Sequence, residues 1–276
     1  GEWIAGSGVS YRPLVLPGGA TVLAGIMTGS WTLPAARGRG CFTRIIEESI
    51  AFVREKAGGL LLAFVTESNA SYRRLAAAGA GLFPTRYLFS TADTEAPPPV
   101  PTEDVEPTPA LVSELSARAA SLAEGHVRFA YEGAEWERQL VHRADPTTVV
   151  HAPGLGHAVV ETHGEFDRLQ AVLPLDLGRR SELVRAMLGR AQARGQKLFV
   201  FASDATAGDA IASHCGLGSA PVFITANVAD RDALEAAIGH PLPPPSAAGR
   251  PAMRCASTAA TATPRRSWPP GSIRSP

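Results

Sequence analysis

The feature that most constrains this chain is the decapeptide Pro34–Thr43, P-A-A-R-G-R-G-C-F-T, set between a β-rich stretch and an amphipathic one. Upstream, Thr21–Leu33 (TVLAGIMTGSWTL) is rich in β-branched and aromatic residues and reads as a strand that Pro34 ends. Downstream, Cys41–Ala57 places Phe42, Ile45, Ile46, Ile50 and Val53 on one helical face, and Gly58-Gly59 stops the helix. Leu60–Thr66 (LLLAFVT) is a continuous apolar run, the pattern of a strand buried on both faces. Strand, helix and strand in this order make a βαβ unit, whose strands must be parallel and whose crossover is right-handed. Ligands of such units gather at the carboxyl end of the first strand, against the helix N-terminus. Gly38 and Gly40 let the backbone turn there and expose its N–H groups, while Arg37 and Arg39 add positive charge. Amides, helix dipole and guanidiniums together suit a pyrophosphate. The segment is not a P-loop, because no Gly-Lys-Ser/Thr follows, and Thr43 stands where the dinucleotide fingerprint needs its third glycine. A glycine-rich turn with solvated arginines is the other reading of the same residues.

Around this unit, Ser10–Leu16 reads as a strand, Ser68 or Asn69 caps a helix running to Ala78, and Arg86–Ser90 forms a further short strand. This order of elements, with P-x-x-R-G-x-G between the strand and the helix, resembles the central part of the GCN5-related N-acetyltransferases over residues 10–90. The family motif is Arg/Gln-x-x-Gly-x-Gly/Ala; Arg37 and Gly40 match it, and Phe42 fills the last small position. Branches with a bulky residue there include some resembling the aminoglycoside acetyltransferases of the enhanced-intracellular-survival type.

The resemblance implies an α/β (α+β) fold and acetyl-CoA as co-substrate. The backbone amides of Arg37, Gly38, Arg39, Gly40, Cys41 and Phe42 would cradle its pyrophosphate, with Asn69 on the next helix. It also implies direct attack of an amine on the thioester. The strand ending at Leu33 would hold the pantetheine arm, with a backbone N–H near Leu33 as oxyanion donor. In the family a tyrosine seven residues after the asparagine often protonates the leaving thiolate; here that position is Ala76. Tyr72, one turn earlier, is the substitute acid, with Tyr87 behind it. Cys41 is assigned a packing or backbone role, since direct transfer needs no thiol. Family members begin with a strand and two helices that shape the acceptor pocket, and this chain starts almost at the second strand, so the first domain is expected to be N-terminally incomplete.

Residues 110–230 repeat the grammar. Helices are expected at 110–123, 134–142, 181–194 and 206–214, and strands at 148–151, 158–162, 169–173, 197–203 and 221–228. Where the anion loop should be, the chain reads P-L-D-L-G-R-R-S (174–181), with one glycine and an acid, Asp176, beside Arg179 and Arg180. This is expected to be a degenerate second acetyltransferase-like lobe with a structural role. His151, His157 and His163 recur every six residues without a tight ligand pair, and His214-Cys215 reads as a helix end, so no metal and no Cys-His dyad is expected.

Composition enters through its distribution. The chain carries 26 basic and 26 acidic residues, a formal charge of zero. Residues 1–92 hold nine basic and five acidic groups, residues 93–240 twelve and twenty-one, and residues 241–276 five arginines and no acid. The first block suits a small anionic ligand and the acidic second block argues against nucleic acid. Segment 93–109, with six prolines and five acids, is expected to be a linker, and 241–276 a disordered tail. No run approaches the ~20 apolar residues of a membrane helix. Three scattered cysteines give no disulfide framework, consistent with a cytoplasmic protein. The domain plan is therefore 1–92, a partial acetyl-CoA-binding lobe; 93–109, linker; 110–240, the degenerate lobe; and 241–276, tail. The expected activity is acetyl transfer to a primary amine of a small molecule. A non-catalytic acyl-CoA-binding or interaction protein is the alternative, and oligomeric state is left open.

Overall fold

Each of the two βαβ patterns folds as its periodicity requires, and what joins them is an exchange of strands. The computed structural model describes residues 3–131 and 133–242. The expected tail therefore lies, apart from Pro241 and Leu242, outside the described residues.

In chain order, β1 (Ala5–Val15) and β2 (Thr21–Thr32) form an antiparallel hairpin, and α1 (Cys41–Glu55) crosses to β3 (Leu60–Val65). Then come α2 (Ala70–Ala77), capped by the Asn69 side chain on the Ser71 N–H at 3.0 Å, and β4 (Gly81–Phe89). The second half runs β5 (Glu103–Val105), α3 (Pro109–Leu122), β6 (Arg128–Phe129) and α4 (Gly133–Trp136), which a π-helical turn extends to Val141. It continues with β7 (Thr147–Ala152), β8 (Gly156–His163), β9 (Phe166–Pro174), α5 (Arg180–Ala193) and β10 (Lys197–Ala202). It closes with α6 (Ala205–Cys215), β11 (Gly218–Val228) and α7 (Arg231–Ile238).

Among the described residues these strands make one mixed sheet, ordered β5-β7-β8-β9-β10-β4-β11-β3-β2-β1-β6. Strand β4, from the first half, pairs with β10 of the second; β11, from the second half, pairs with β3 of the first. The two exchanged strands also pair with each other, antiparallel, from Gly81↔Ala226 to Phe89↔Gly218. The two halves thus share one sheet, because each completes its hydrogen-bond ladder with the other's last strand. Two buried hydroxyls at the crossing are satisfied: Thr85 donates to Val222 O at 2.8 Å, and Thr225 to Ala63 O at 3.3 Å. Arg86 on β4 grips Asp209 on α6 with two bonds, at 2.7 and 3.0 Å.

Helices α1, α2, α5 and α6 share one face of the sheet, where Ile46 and Val53 of α1 are fully buried against Met27, Leu61 and Ala63. Truncating such a side chain to alanine costs about 2–5 kcal/mol. At Gly25 the approach of α1 is so close that a Cβ would lie 2.3 Å from Val53 Cγ2. Helix α7 covers one flank of the opposite face, and α3 with α4 the other.

Three elements were not read from the sequence. Asp230 caps α7 by accepting from the Ala233 N–H at 3.0 Å, an N-cap signal that the reading passed over. Strand β6 is two residues long and pairs only with Leu14 and Val15. Strand β5 falls inside segment 93–109, two of whose acids find partners: Asp104 pairs with Arg190 at 2.6 Å, and Glu103 meets the His151 imidazole at 2.7 Å.

Candidate cofactor site

The site begins where two parallel strands part. Strands β2 and β3 pair only from Ala24↔Leu60 to Met27↔Ala63. Beyond that, Thr28–Thr32 runs on with β1 on one side and no strand on the other. Antiparallel strands turn alternate residues' N–H and C=O groups to opposite edges. The Leu33 N–H is bonded to Ile4 O at 2.9 Å, on the β1 side, so the Thr32 N–H points into the opening. The Leu33 amide, expected as the oxyanion donor, is thus spent on the hairpin ladder, and the amide turned to the opening is that of Thr32.

After β2, a short 3₁₀ turn over Pro34–Ala36 leads into the glycine loop. Gly38 and Gly40 have φ of +80° and +78°, a region that costs a side-chain-bearing residue about 1–2 kcal/mol. A Cβ built at either position would meet nothing within 4 Å, so the backbone faces open space there. Gly40 is the N-cap of α1 and supplies no side-chain cap; Arg44 N bonds back to Gly40 O at 3.1 Å. The N–H groups of Cys41, Phe42 and Thr43 thus have no intrahelical acceptor, and the first turn of α1 contains no acid.

Loop, opening and the start of α2 enclose a cavity of about 590 Å³. Arg37, Gly38, Gly40, Cys41, Phe42 and Asn69 line it, together with Ser30–Thr32, Thr43, Ala70, Ser71 and Arg74. Six of the expected cofactor residues therefore meet in one place. Leu33 and Arg39 do not line it; Arg39 faces a second cavity of about 800 Å³, between β1 and α1, that shares Gly40 and Cys41 with the first. No carboxylate lines the first cavity, and among the described residues Arg37 and Arg74 have no acidic partner. Cys41 Sγ donates to Ala36 O at 3.6 Å, closing the loop on itself, in line with a packing role.

The two tyrosines expected as acids are elsewhere. Tyr72 is half-buried in the core under α2, its ring 4.9 Å from that of Phe223, and lines neither cavity. Helix α2 turns this position toward β11 and turns Ser71 and Arg74 toward the cavity. Tyr87, on β4, stands edge-on to Phe201 at 5.4 Å and lines neither cavity. Sequence reasoning missed Arg74 and Ser71. Their signal was spacing, since they lie three residues apart on a helix that opens at Asn69.

The second half holds the same geometry with different chemistry. Strands β9 and β10 pair from Phe166↔Lys197 to Leu169↔Val200, and residues 170–174 then part from β10. Its loop is neutralised internally: Arg179 donates to Gly154 O at 2.9 Å and lies 3.6 Å from Asp176 and 3.9 Å from Glu182. Glu182 sits in the first turn of α5, where a bound anion would be repelled. His151 and His157 stack at 4.7 Å, and His163 pairs with Asp145 at 2.9 Å. Burial, with the His151 and Arg118 charges, lowers the His157 pKa below its ordinary value. Burial pushes the Cys215 thiol up to about 11, and its Sγ donates to Ser181 O, so it is no nucleophile beside His214. Among the described residues, no cluster of three His, Cys, Asp or Glu could hold a metal ion, and no helix is long and apolar enough to cross a membrane.

No family model and no curated protein sequence matches the chain. Solved structures do. A conserved protein from Enterococcus faecalis V583, described as a probable N-acyltransferase, superposes with a TM-score of 0.55 at 14% identity, over 83% of this chain and 60% of that one. A GCN5-related N-acetyltransferase from Kribbella flavida gives a TM-score of 0.55 at 15% identity, over 85% and 60%. Another, from Sphaerobacter thermophilus, gives 0.53 at 15%, over 75% and 73%. This is the GCN5-related N-acetyltransferase fold. At such identities the likeness is one of fold, and the chain spans 60% of the length of the first two structures.

Proposed function

We propose that the first half binds acetyl-CoA in the 590 Å³ cavity and that the protein transfers the acetyl group to a primary amine of a small molecule by direct attack. One observation carries the reading. A single acid-free cavity brings together the unbonded amides of the α1 N-terminus, two glycines of positive φ, two arginines without an acidic partner among the described residues, and the edge of β2. Acetyl-CoA supplies the activated thioester. The chain's part is to hold an anion with the amides of Gly38 and residues 40–43 and the Arg37 side chain, the Arg39 amide being spent on Ala36 O, and to aim the Thr32 N–H into the opening. An amide fixed there stabilises negative charge developing on a carbonyl oxygen. On this reading residues 1–92 form the cofactor lobe and residues 110–240 a degenerate copy, whose loop spends its arginine on Asp176, Glu182 and Gly154.

Replacing Arg37 with Glu and Gly40 with Asp is expected to abolish stabilisation of the protein by acetyl-CoA in a thermal melt. Unchanged stabilisation would refute the loop assignment.

The second reading, a non-catalytic acyl-CoA-binding protein, is favoured by one fact: neither a carboxylate nor a tyrosine lines the cavity. Thiol release from acetyl-CoA with a panel of amines separates the two. Release with any amine supports the enzyme, and tight binding without release on every amine supports the binder.

A further inference from the structure

Arg74 lines the cavity of the glycine loop from a different element, α2. It is exposed and has no acidic partner among the described residues. Ser71 stands one turn before it on the same helix, and Asn69 caps that helix. Asn69 spends its Oδ1 on the Ser71 N–H, which leaves its Nδ2 and the Ser71 hydroxyl without a protein partner among the described residues. The cavity therefore carries on α2 a second set of cationic and donor groups, besides the amides of Gly38 and residues 40–43.

The corresponding place in the second half shows the opposite choice. Arg74 is the fifth residue of α2, and the fifth residue of α6 is Asp209. Asp209 is tied by two hydrogen bonds to Arg86, so that position is negative and already used. Both helices open on side-chain caps, Asn69 and Asp204, and only the first pairs a neutral cap with a free guanidinium.

We infer that Arg74, Ser71 and Asn69 form a second anion subsite that reads a terminal phosphomonoester. The chain thereby prefers CoA to its 3′-dephospho form. The inference rests on the acetyl-CoA reading and extends it. CoA carries two kinds of phosphate. The bridging pyrophosphate has one charge per phosphorus and suits a cradle of amides. The 3′-phosphomonoester approaches two charges at neutral pH and suits a guanidinium, which binds it through two parallel hydrogen bonds.

The test is calorimetric titration of the full chain with CoA and with 3′-dephospho-CoA, which lack nothing relative to each other but the monoester. Wild type is expected to bind CoA about tenfold or more tightly, the size of one charge-assisted contact. Arg74→Gln is expected to bind both ligands with the wild-type affinity for dephospho-CoA, and Arg74→Lys to keep part of the preference. Arg73→Gln, an exposed neighbour that does not line the cavity, is expected to keep all of it. Equal binding of both ligands by wild type, or a preference that survives in Arg74→Gln, overturns the subsite and leaves the loop assignment standing. Failure of wild type to bind either ligand overturns both.

Discussion

The loops at 34–43 and 174–181 occupy equivalent places, each following a strand that parts from its parallel neighbour after four paired residues. They differ in what neutralises their charge. Among the described residues Arg37 has no acidic partner, and it stands beside two left-handed glycines at a helix start without an acid. Arg179 is held by Asp176 and Glu182, and Gly178 has no positive φ. The difference extends to the next helix, where Arg74 in one half answers Asp209 in the other. The lesson concerns electrostatics more than shape: the same splayed strands open on a loop with unneutralised charge in one half and on a self-satisfied turn in the other.

The comparison breaks most completely if the halves can be uncoupled. Thr85 is fully buried on an exchanged strand, and Thr85→Asp puts an unpaired charge where both halves complete the sheet. The expected loss is about 4 kcal/mol or more. It should appear as one cooperative circular-dichroism transition shifted down by about 10 °C or more. Two separate transitions, with only one displaced, would show that the halves fold independently.

A smaller effect compares the glycines directly. Gly40→Ala must accept φ of +78° and is expected to cost about 1–2 kcal/mol of stability and to weaken acetyl-CoA binding. Gly178→Ala, under no such demand, should leave acetyl-CoA binding as it is. Equal effects of the two substitutions on ligand-induced stabilisation would refute the asymmetry.

The smallest effect is pH-linked and belongs to the second half, since residues 1–92 contain no histidine. The pKa of His157 is lowered in the fold by burial, His151 and Arg118, against the pull of Glu114 and Glu103. Below about 6.5 the unfolded chain takes up the proton more readily than the folded one. The contribution is therefore intact above that pH and declines as the pH falls through it toward the lowered value. His157→Gln is expected to flatten the decline of melting temperature between pH 7.5 and 5.5. An unchanged slope would assign the linkage to other groups.

Much of the local structure was legible. The 3.6-residue period of Phe42, Ile46 and Val53 marked α1, the apolar run 60–65 marked β3, and Asn69 marked the start of α2. Those signals are local, carried by residues within one turn or one strand of each other. The left-handed turn at Gly38 and Gly40 was legible for the same reason, because such a backbone leaves its mark on the residue that adopts it. Roles that depend on direction were not. Leu33 and Thr32 are adjacent, and only the ladder to Ile4 shows which amide is spent. Tyr72 and Arg74 share a helix, and only the packing of Phe223 against Tyr72 shows which of them faces the cavity.

The sequence by itself determined two βαβ units, a glycine loop between the strand and helix of the first, and an uneven distribution of charge. Spacing and residue type act over short range and suffice for these. Only the tertiary structure decided that the two units share one sheet, that β4 and β11 cross between them, and that Arg74 faces the loop. A strand's partner is chosen by the hydrogen-bond ladder left open at a distant edge, and that edge lies more than a hundred residues away along the chain.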